Sequence, residues 1–151
     1  TLGIYLDDVT GPEGPLACVP GSHDGPLYSH FGPDGGWSGY LSEADEAAAD
    51  VGSAVDLMGP AGSVIAINCR TIHGSIANAT DRVRPLLLYI YSSADAFPWT
   101  SSPTPTSYSG DIVRGKPAEF VHMDPRPVQV PPRWEKIGYN SIFAAQKSMG
   151  G

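Results

Sequence analysis

The first 69 residues of the chain contain no lysine or arginine, and this absence limits what the protein can bind. All nine basic residues lie at Arg70 or later, whereas ten of the sixteen acidic residues precede it. The formal net charge is −7, and the sequence shows no basic patch. A nucleic-acid-binding surface needs clustered positive charge, so we expect no nucleic acid among the partners.

Long apolar runs and a cysteine framework are also missing. No apolar stretch approaches the roughly 20 residues that a membrane span requires, and the N-terminus has no signal-peptide pattern. The two cysteines, Cys18 and Cys69, lie in apolar, strand-like surroundings. We therefore expect buried, reduced thiols and no disulfide, as is typical of a cytoplasmic protein without a membrane partner.

Glycine and proline are abundant instead, with 18 Gly and 15 Pro among 151 residues. Both favour turns, and together with short apolar runs they predict an all-β fold with many loops. The length corresponds to a single domain or part of one. Because Thr1 leads almost at once into the apolar run Ile4-Tyr5-Leu6, we expect the chain to open within a strand and the N-terminal part of the fold to lie upstream.

The central stretch, residues 59–91, combines two predicted strands with a polar segment. Residues 64–67 and 86–91 are apolar, of strand length and rich in β-branched or aromatic side chains. The segment between them carries the candidates for a site: His73, Ser75, Asn78, Arg82 and Arg84. Burying polar groups without partners is costly, so this pattern indicates a metal for the imidazole and an anion for a guanidinium.

Strand alternation divides these candidates between faces. His73 and Ser75 share one parity, and Arg84 has the parity of Leu86 and Leu88. If that apolar parity faces the core, Arg84 projects inward at one end of its strand. A neutral imidazole can bind a metal, and the arginine fork can bind a carboxylate through two parallel hydrogen bonds.

The remaining elements are predicted from apolar periodicity and caps. Further strands are predicted at residues 2–8, 15–19 and 54–58. A helix is predicted at residues 42–51, with Ser42 as its N-cap, and a second at residues 140–149. His23 is either near a site or an ordinary loop histidine. We favour the loop histidine, because nothing nearby supplies a second ligand at metal spacing.

Two long loops are candidates for substrate contact. Residues 24–41 contain His30, and residues 94–109 contain Phe97 and Trp99. Long loops in compact domains often carry binding residues. The alternative is that these rings only cover the core and the open end of a β-barrel. The sequence fits substrate contact and this covering role equally well.

Three segments resemble the phytanoyl-CoA dioxygenase family: PLACVPGSH at residues 15–23, GPAGSVIAINCRTIHGSIANATDRVRP at residues 59–85, and PPRWEKIGYNSIFAAQ at residues 131–146. The most specific part is H-G-S-x-x-N-x-[ST] with an arginine eleven residues after the histidine. Members have a double-stranded β-helix (jelly roll, cupin-like) and are Fe(II)- and 2-oxoglutarate-dependent oxygenases. The resemblance implies the C-terminal portion of such a jelly roll, with one or two peripheral helices, a core at residues 1–92 and a wrapping tail at residues 93–151.

The resemblance also implies roles for single residues. His73 matches the distal iron ligand, and Arg84 matches the arginine that binds the far carboxylate of 2-oxoglutarate. Ser75 matches the hydroxyl that assists at the same carboxylate, and Arg82 is a rival for the role of Arg84. The implied partners are O₂ and a small organic substrate that is hydroxylated or otherwise oxidised. Homo-oligomer formation stays open.

One half of the implied iron site has no match in the chain. The facial triad of such oxygenases needs two His and one carboxylate, and the His-x-Asp half is expected upstream of the PGSH strand. His122-Met123-Asp124 has the right letters, but it follows the distal histidine and so reverses the family order. Two other functions stay open: a metal-free cupin-like binding module, and a different metal enzyme on the same barrel, against which Arg84 argues.

Overall fold

The computed structural model describes residues 1–137, and these form two compact units. The first unit joins Thr1–Leu27 to Glu43–Tyr91 and contains all the strands of the described residues. The second joins Tyr28–Ser42 to the described residues from Ser92 onward and consists mainly of turns and extended chain. The helix predicted at residues 140–149 lies outside the described residues.

Six short strands build two antiparallel sheets in the first unit. In the first sheet, strand β1 lies between β4 and β6, and in the second sheet β2 lies between β3 and β5. The strands are β1 Leu2–Tyr5, β2 Ala17–Cys18, β3 Val55–Asp56, β4 Val64–Ala66, β5 His73–Gly74 and β6 Leu86–Tyr89. The mainly β character that the sequence predicts is confirmed.

The strands are shorter than their apolar patterns. The first was predicted to reach Asp8 but ends at Tyr5, because the next residues turn. The carboxylate of Asp7 accepts the backbone N–H of Asp8 at 2.8 Å, and Asp8 in turn accepts that of Ala61 at 2.8 Å. A strand ends where its backbone groups find partners outside the ladder, and an apolar pattern does not report this.

Tyr5 connects the two sheets. Its side chain is 1% exposed, and its hydroxyl donates to the carbonyl of Leu57, just after β3, at 2.7 Å. The same oxygen accepts the N–H of Leu16, just before β2, at 3.4 Å. Since β1 carries Tyr5 and the other two residues flank the second sheet, this phenol joins both sheets through one atom.

Tyr5 belongs to the small buried core of the first unit. Val9, Cys18 and Val19 are buried with it. Gly3 provides a close approach, because a Cβ atom there would lie 3.2 Å from Cδ1 of Leu86. The face of β1 that carries Gly3 and Tyr5 is therefore the packed face of the first sheet.

The predicted helix at residues 42–51 is present but shorter. Helix α1 covers Glu43–Ala48, and Asp50 then takes a left-handed backbone conformation with φ of 51°. A non-glycine residue in that region cannot continue a right-handed helix. A separate 3₁₀-helical turn follows at Val51–Ser53.

The prediction for the cysteines was half right. Neither Cys18 nor Cys69 forms a disulfide in the structure, and Cys18 is buried, but Cys69 is exposed. The expectation of a buried Cys69 was wrong because its segment is a turn, in which the N–H of Thr71 bonds to the carbonyl of Asn68 at 3.0 Å.

The second unit is held by side-chain contacts between its loops. Trp37 and Trp134, the latter at the start of helix α2 (Trp134–Ile137), pack edge to face with ring centroids 5.0 Å apart. Ser29 donates to Gln129 at 2.8 Å. Within residues 1–137 no helix has the length and apolar character needed to cross a membrane.

We predict that Tyr5→Phe lowers the free energy of unfolding by about 1–2 kcal/mol, because the Leu57 carbonyl loses a buried donor while the ring still fills its site. Urea unfolding of the protein measures this. Tyr108→Phe is the matched control, since Tyr108 is 77% exposed. Equal midpoints for the two variants would show that the Tyr5 hydroxyl does not stabilise the fold.

Candidate active site

His73 lies on β5, directly opposite the buried Cys18 of β2. Paired residues of an antiparallel ladder share a face, so the imidazole projects on the same face as the Cys18 side chain. Burial raises the pKa of the Cys18 thiol. This favours the neutral thiol over the metal-binding thiolate, so the exposed imidazole of His73 is the better candidate for a metal ligand on this face.

The imidazole of His73 is held by its own chain. Nδ1 lies 2.7 Å from the carbonyl oxygen of Thr71, which can only accept, so Nδ1 carries the proton and donates. The lone pair is then on Nε2, which has no hydrogen-bond partner among the described residues. A histidine that donates one ring nitrogen to a carbonyl and presents the other is the usual arrangement of a metal ligand.

Arg84 lies two residues before β6, on the packed side of the first sheet. The N–H of Leu6 bonds to the carbonyl of Pro85 at 3.3 Å, so the pairing of β1 with β6 continues past the ends of both strands. Tyr5 pairs with Leu86, and alternation places Arg84 on the same face as these two residues. That face is the one from which the Tyr5 hydroxyl reaches the second sheet.

The guanidinium of Arg84 has unused hydrogen-bonding capacity. Its Nη1 atom is buried and has no hydrogen-bond partner within residues 1–137. A buried donor without a partner costs free energy, more so when it is charged, and native structures rarely leave one. A carboxylate ligand that accepts two parallel hydrogen bonds from the guanidinium would give this Nη1 atom a partner.

Arg82, the rival on the same loop, is already paired. Its Nη2 lies 3.1 Å from Oδ2 of Asp7, and its Nη1 lies 3.6 Å from Oε1 of Glu13. Glu13 is itself 6% exposed, and its carboxylate accepts the hydroxyl and the N–H of Thr10. These hydrogen bonds lower the pKa of Glu13, and the bond from the Thr10 hydroxyl has the largest effect. The Glu13 carboxylate therefore stays anionic and pairs with Arg82.

Asn78, one of the candidates for a site, and Thr80 instead hold together the loop that carries both arginines. Asn78 donates to the carbonyl of Arg82 at 2.7 Å and accepts the N–H and the hydroxyl of Thr80 at 2.9 and 2.8 Å. The Thr80 hydroxyl accepts the N–H of Arg82 at 3.2 Å. The N-x-[ST] part of the motif is the signal that could have identified this function, because Asn and Thr commonly bond to nearby backbone.

Ser75 is exposed and follows β5, which ends at Gly74. Its hydroxyl makes no hydrogen bond within the described part of the chain. The role of Ser75 at a carboxylate therefore stays a prediction. Contact of His30, Phe97 and Trp99 with the substrate also stays a prediction. These residues lie in the second unit, where Phe97 is 67% and Trp99 77% exposed.

Two other histidines have carboxylate partners of their own, and the aspartate of the His122-Met123-Asp124 sequence is taken up by an arginine. His122 bonds through Nδ1 to the carboxylate of Asp95, and Asp124 is held by Nε and Nη2 of Arg126 at 2.9 and 2.7 Å. His23 lies in a 3₁₀-helical turn, with Nε2 3.5 Å from Oδ2 of its neighbour Asp24. Among residues 1–137 no group of three or more His, Cys, Asp or Glu side chains could hold a metal ion.

An open cleft of about 380 Å³ lies in the first unit, away from His73 and Arg84. Its walls come from the segment around β3 and from β4, and they comprise Tyr5, Asp56, Leu57, Met58, Ser63, Val64, Ile65 and Ala66. The buried donor of Arg84, and not this cleft, is therefore the feature that points to a ligand.

Comparison with known proteins identifies the group to which the chain is related. The sequence profile described as "Phytanoyl-CoA dioxygenase (PhyH)" matches residues 1–86, more than half of the chain. The chain belongs to the phytanoyl-CoA dioxygenase family. The matched stretch includes the PGSH segment, His73, Ser75 and Arg84, so the resemblance noted from the sequence is confirmed at the level of the family.

Three curated relatives are similar to the chain. The "Probable alpha-ketoglutarate-dependent hypophosphite dioxygenase" of Stutzerimonas stutzeri is 34% identical over 151 residues, covering 99% of the chain and 52% of that protein. The "Ectoine dioxygenase" of the same species is 32% identical over 110 residues, 63% of the chain and 35% of that protein. The "L-proline trans-4-hydroxylase" of Streptomyces griseoviridis is 30% identical over 105 residues, 60% of the chain and 39% of that protein.

The chain spans about half the length of the first of these relatives and less of the other two. No solved structure is significantly similar to the chain. Membership in the phytanoyl-CoA dioxygenase family therefore rests on sequence.

The acidic partner of Arg82 supports a prediction about pH. Because the pKa of Glu13 is lowered from its ordinary value of 4.5, its contribution to stability is present above pH 4.5 and is lost as the pH falls through the lowered value. We predict that Glu13→Gln destabilises the protein at pH 7 and that its difference from wild type shrinks below about pH 4.5.

Urea unfolding at pH 3.5, 5 and 7 measures this difference. Glu119→Gln is the control, since Glu119 is exposed and makes no hydrogen bond among the described residues. A difference between wild type and Glu13→Gln that does not change with pH would contradict a role for the anionic form of Glu13.

Proposed function

We propose that the protein is an Fe(II)- and 2-oxoglutarate-dependent dioxygenase that hydroxylates or otherwise oxidises a small organic substrate. The observation that carries this proposal is the buried, unpartnered Nη1 of Arg84, on a chain of the phytanoyl-CoA dioxygenase family. Relatives bear the names of dioxygenases and a hydroxylase. Together these findings favour an oxygenase with a dicarboxylate cosubstrate.

Arg84 would hold the cosubstrate by its far carboxylate. The planar fork presents two parallel N–H donors, which match the two oxygens of a carboxylate. Bound 2-oxoglutarate would accept a hydrogen bond from Nη1 of Arg84, which has no partner among the described residues. Arg82 is neutralised by Asp7 and Glu13, so the loop offers a single free fork. Ser75 would add a hydroxyl to the same carboxylate.

His73 would supply one ligand to the iron through Nε2, because Nδ1 already donates to the Thr71 carbonyl. The facial triad of these oxygenases needs a second His and a carboxylate. Residues 1–137 offer no such cluster, and the relatives are considerably longer than the chain. We therefore assign the other two ligands to sequence outside the chain described.

The iron, when bound, supplies the oxidative chemistry with O₂ and 2-oxoglutarate, and the protein supplies binding, orientation and exclusion of water. In this division of tasks His73 holds the metal and Arg84 orients the cosubstrate. His30, Phe97 and Trp99 are proposed to contact the substrate. The three relatives are named for hypophosphite, ectoine and proline, all small molecules, and this supports a small substrate here.

The proposed complete fold is a jelly roll. Two antiparallel three-stranded sheets linked through Tyr5 are compatible with part of such a double-sheet barrel. His73 lies on one sheet, and Arg84 adjoins the other. In this arrangement the space between the sheets would hold the metal and the cosubstrate.

A metal-free binding module of the cupin type is the second candidate. The observation that favours it is the lack of a three-ligand cluster among the described residues. Iron content of the intact protein separates the two functions, because a module would purify without iron and would not consume 2-oxoglutarate with any substrate tested.

We predict that Arg84→Lys weakens the binding of 2-oxoglutarate about tenfold or more, because a point charge cannot replace two parallel hydrogen bonds. Isothermal titration of the iron-loaded, intact protein under argon measures the Kd. Arg82→Lys is the matched control, since Arg82 is on the same loop but paired with Asp7 and Glu13. If Arg82→Lys shows the larger loss, the assignment of the two arginines is reversed.

We predict that His73→Ala loses stoichiometric iron, because a facial triad with one ligand missing binds the metal far more weakly. Metal content after dialysis of the intact protein measures this. His122→Ala serves as the control, since His122 is bound to Asp95 in the second unit. Full retention of iron in His73→Ala would rule out His73 as a ligand.

A further inference from the structure

The PGSH segment, residues 20–23, takes no part in the proposed chemistry, yet the structure places Ser22 against the strand of His73. The Ser22 hydroxyl accepts the N–H of Ile72 at 2.8 Å and donates to the carbonyl of Val19 at 2.8 Å. Ile72 is 50 residues away in sequence. A serine of a local turn thus bonds to the residue directly before His73.

The bond from Ile72 to Ser22 determines where the Thr71 carbonyl points. The N–H of Ile72 and the C=O of Thr71 belong to one peptide unit, which is planar and trans, so the two groups point in opposite directions. Ser22 holds the N–H end of this unit, and Nδ1 of His73 bonds to its carbonyl end at 2.7 Å. Fixing one end of the plane fixes the other.

Neighbouring contacts hold the same two segments together. The carbonyl of Ile72 accepts the N–H of Val19 at 2.9 Å, so both backbone groups of Ile72 are bonded to residues 19–22. Farther along, Nη2 of Arg70 donates to the carbonyl of Gly25 at 2.9 Å. The turn at residues 19–25 is therefore attached to residues 70–72 by three hydrogen bonds, the two of Ile72 and that of Arg70.

We propose that Ser22 is a positioning residue for His73. Its hydroxyl orients the Thr71–Ile72 peptide, the Thr71 carbonyl then keeps the proton of His73 on Nδ1, and Nε2 stays directed to the metal. A hydrogen bond at the N–H also polarises the peptide and strengthens its carbonyl as an acceptor. This inference rests on the proposed function, because it assumes that His73 is an iron ligand.

The test compares three substitutions at Ser22 with a matched control in the intact protein. Ser22→Ala removes the hydroxyl, Ser22→Cys keeps the size but offers only a weak sulfur acceptor, and Ser22→Thr keeps the hydroxyl. Ser53→Ala is the control, because the Ser53 hydroxyl also donates to a carbonyl three residues earlier at 2.8 Å, that of Asp50. Ser53 accepts no N–H from the strand of His73.

Two readouts separate positioning from folding. Titration with Co(II), followed by its visible absorption, gives the metal affinity without turnover. Nitrogen-15 NMR of the histidine rings in the metal-free protein reports the tautomer of His73, with His73→Gln identifying the signal. We expect Ser22→Ala and Ser22→Cys to bind Co(II) about tenfold to a hundredfold more weakly, the usual effect of losing an outer-shell partner. We also expect them to show a mixture of tautomers.

Ser22→Thr and Ser53→Ala are expected to match wild type in both readouts. If His73→Gln loses Co(II) while Ser22→Ala and Ser22→Cys keep wild-type affinity and tautomer, the positioning role is wrong and the proposed function stands. If His73→Gln binds Co(II) as tightly as wild type, the proposed function fails and the inference fails with it. Equal losses in Ser22→Ala and Ser53→Ala would reduce Ser22 to a general structural role.

Discussion

The hydroxyl of Tyr5 is the interaction on which the arrangement of the site depends. The hydroxyl donates a hydrogen bond to the Leu57 carbonyl and accepts one from the Leu16 N–H, both beside the second sheet. The backbone of Tyr5 pairs with β6 in the first sheet. Arg84 precedes β6, and His73 lies on a strand of the second sheet. The two groups proposed to hold a cosubstrate and a metal are therefore carried by separate sheets, and the buried side chain of Tyr5 joins those two sheets.

The two arginines of one loop show how surroundings distinguish identical side chains: one is paired with carboxylates, and the other is proposed to bind a ligand. Arg82 meets two carboxylates, and Arg84, two residues later, meets none within the described residues. An exposed ion pair contributes little to stability, but here it also removes a competing charge. Of the two guanidinium groups on this loop, that of Arg84 is therefore the one with an unmet buried donor, a feature that suits an anion-binding site.

Sequence patterns predicted the strands well and their ends poorly. Alternation and β-branched content are local properties, so the existence of strands at residues 2–5, 64–66 and 86–89 could be read directly. Their ends depend on partners elsewhere in the chain. The exposure of Cys69 was missed for the same reason, because apolar neighbours in sequence do not reveal a turn.

The candidate site could be proposed from sequence in its residue types but not in its contacts. His73 and Arg84 follow from the motif, but the choice between Arg84 and Arg82 depends on Asp7, which lies 75 residues from Arg82. The contact of Ser22 with Ile72 spans 50 residues. No local pattern encodes such pairings, and only the folded sheets bring these groups together.

The outer strands of the first sheet have a consequence for association. Within the described residues β4 and β6 flank β1, and Val64 is 62%, Leu88 55% and Ile90 78% exposed. Apolar strands with free edges readily pair with strands of other molecules. Edge pairing of this kind is the route by which the first sheet would either associate with other molecules or extend into a larger barrel.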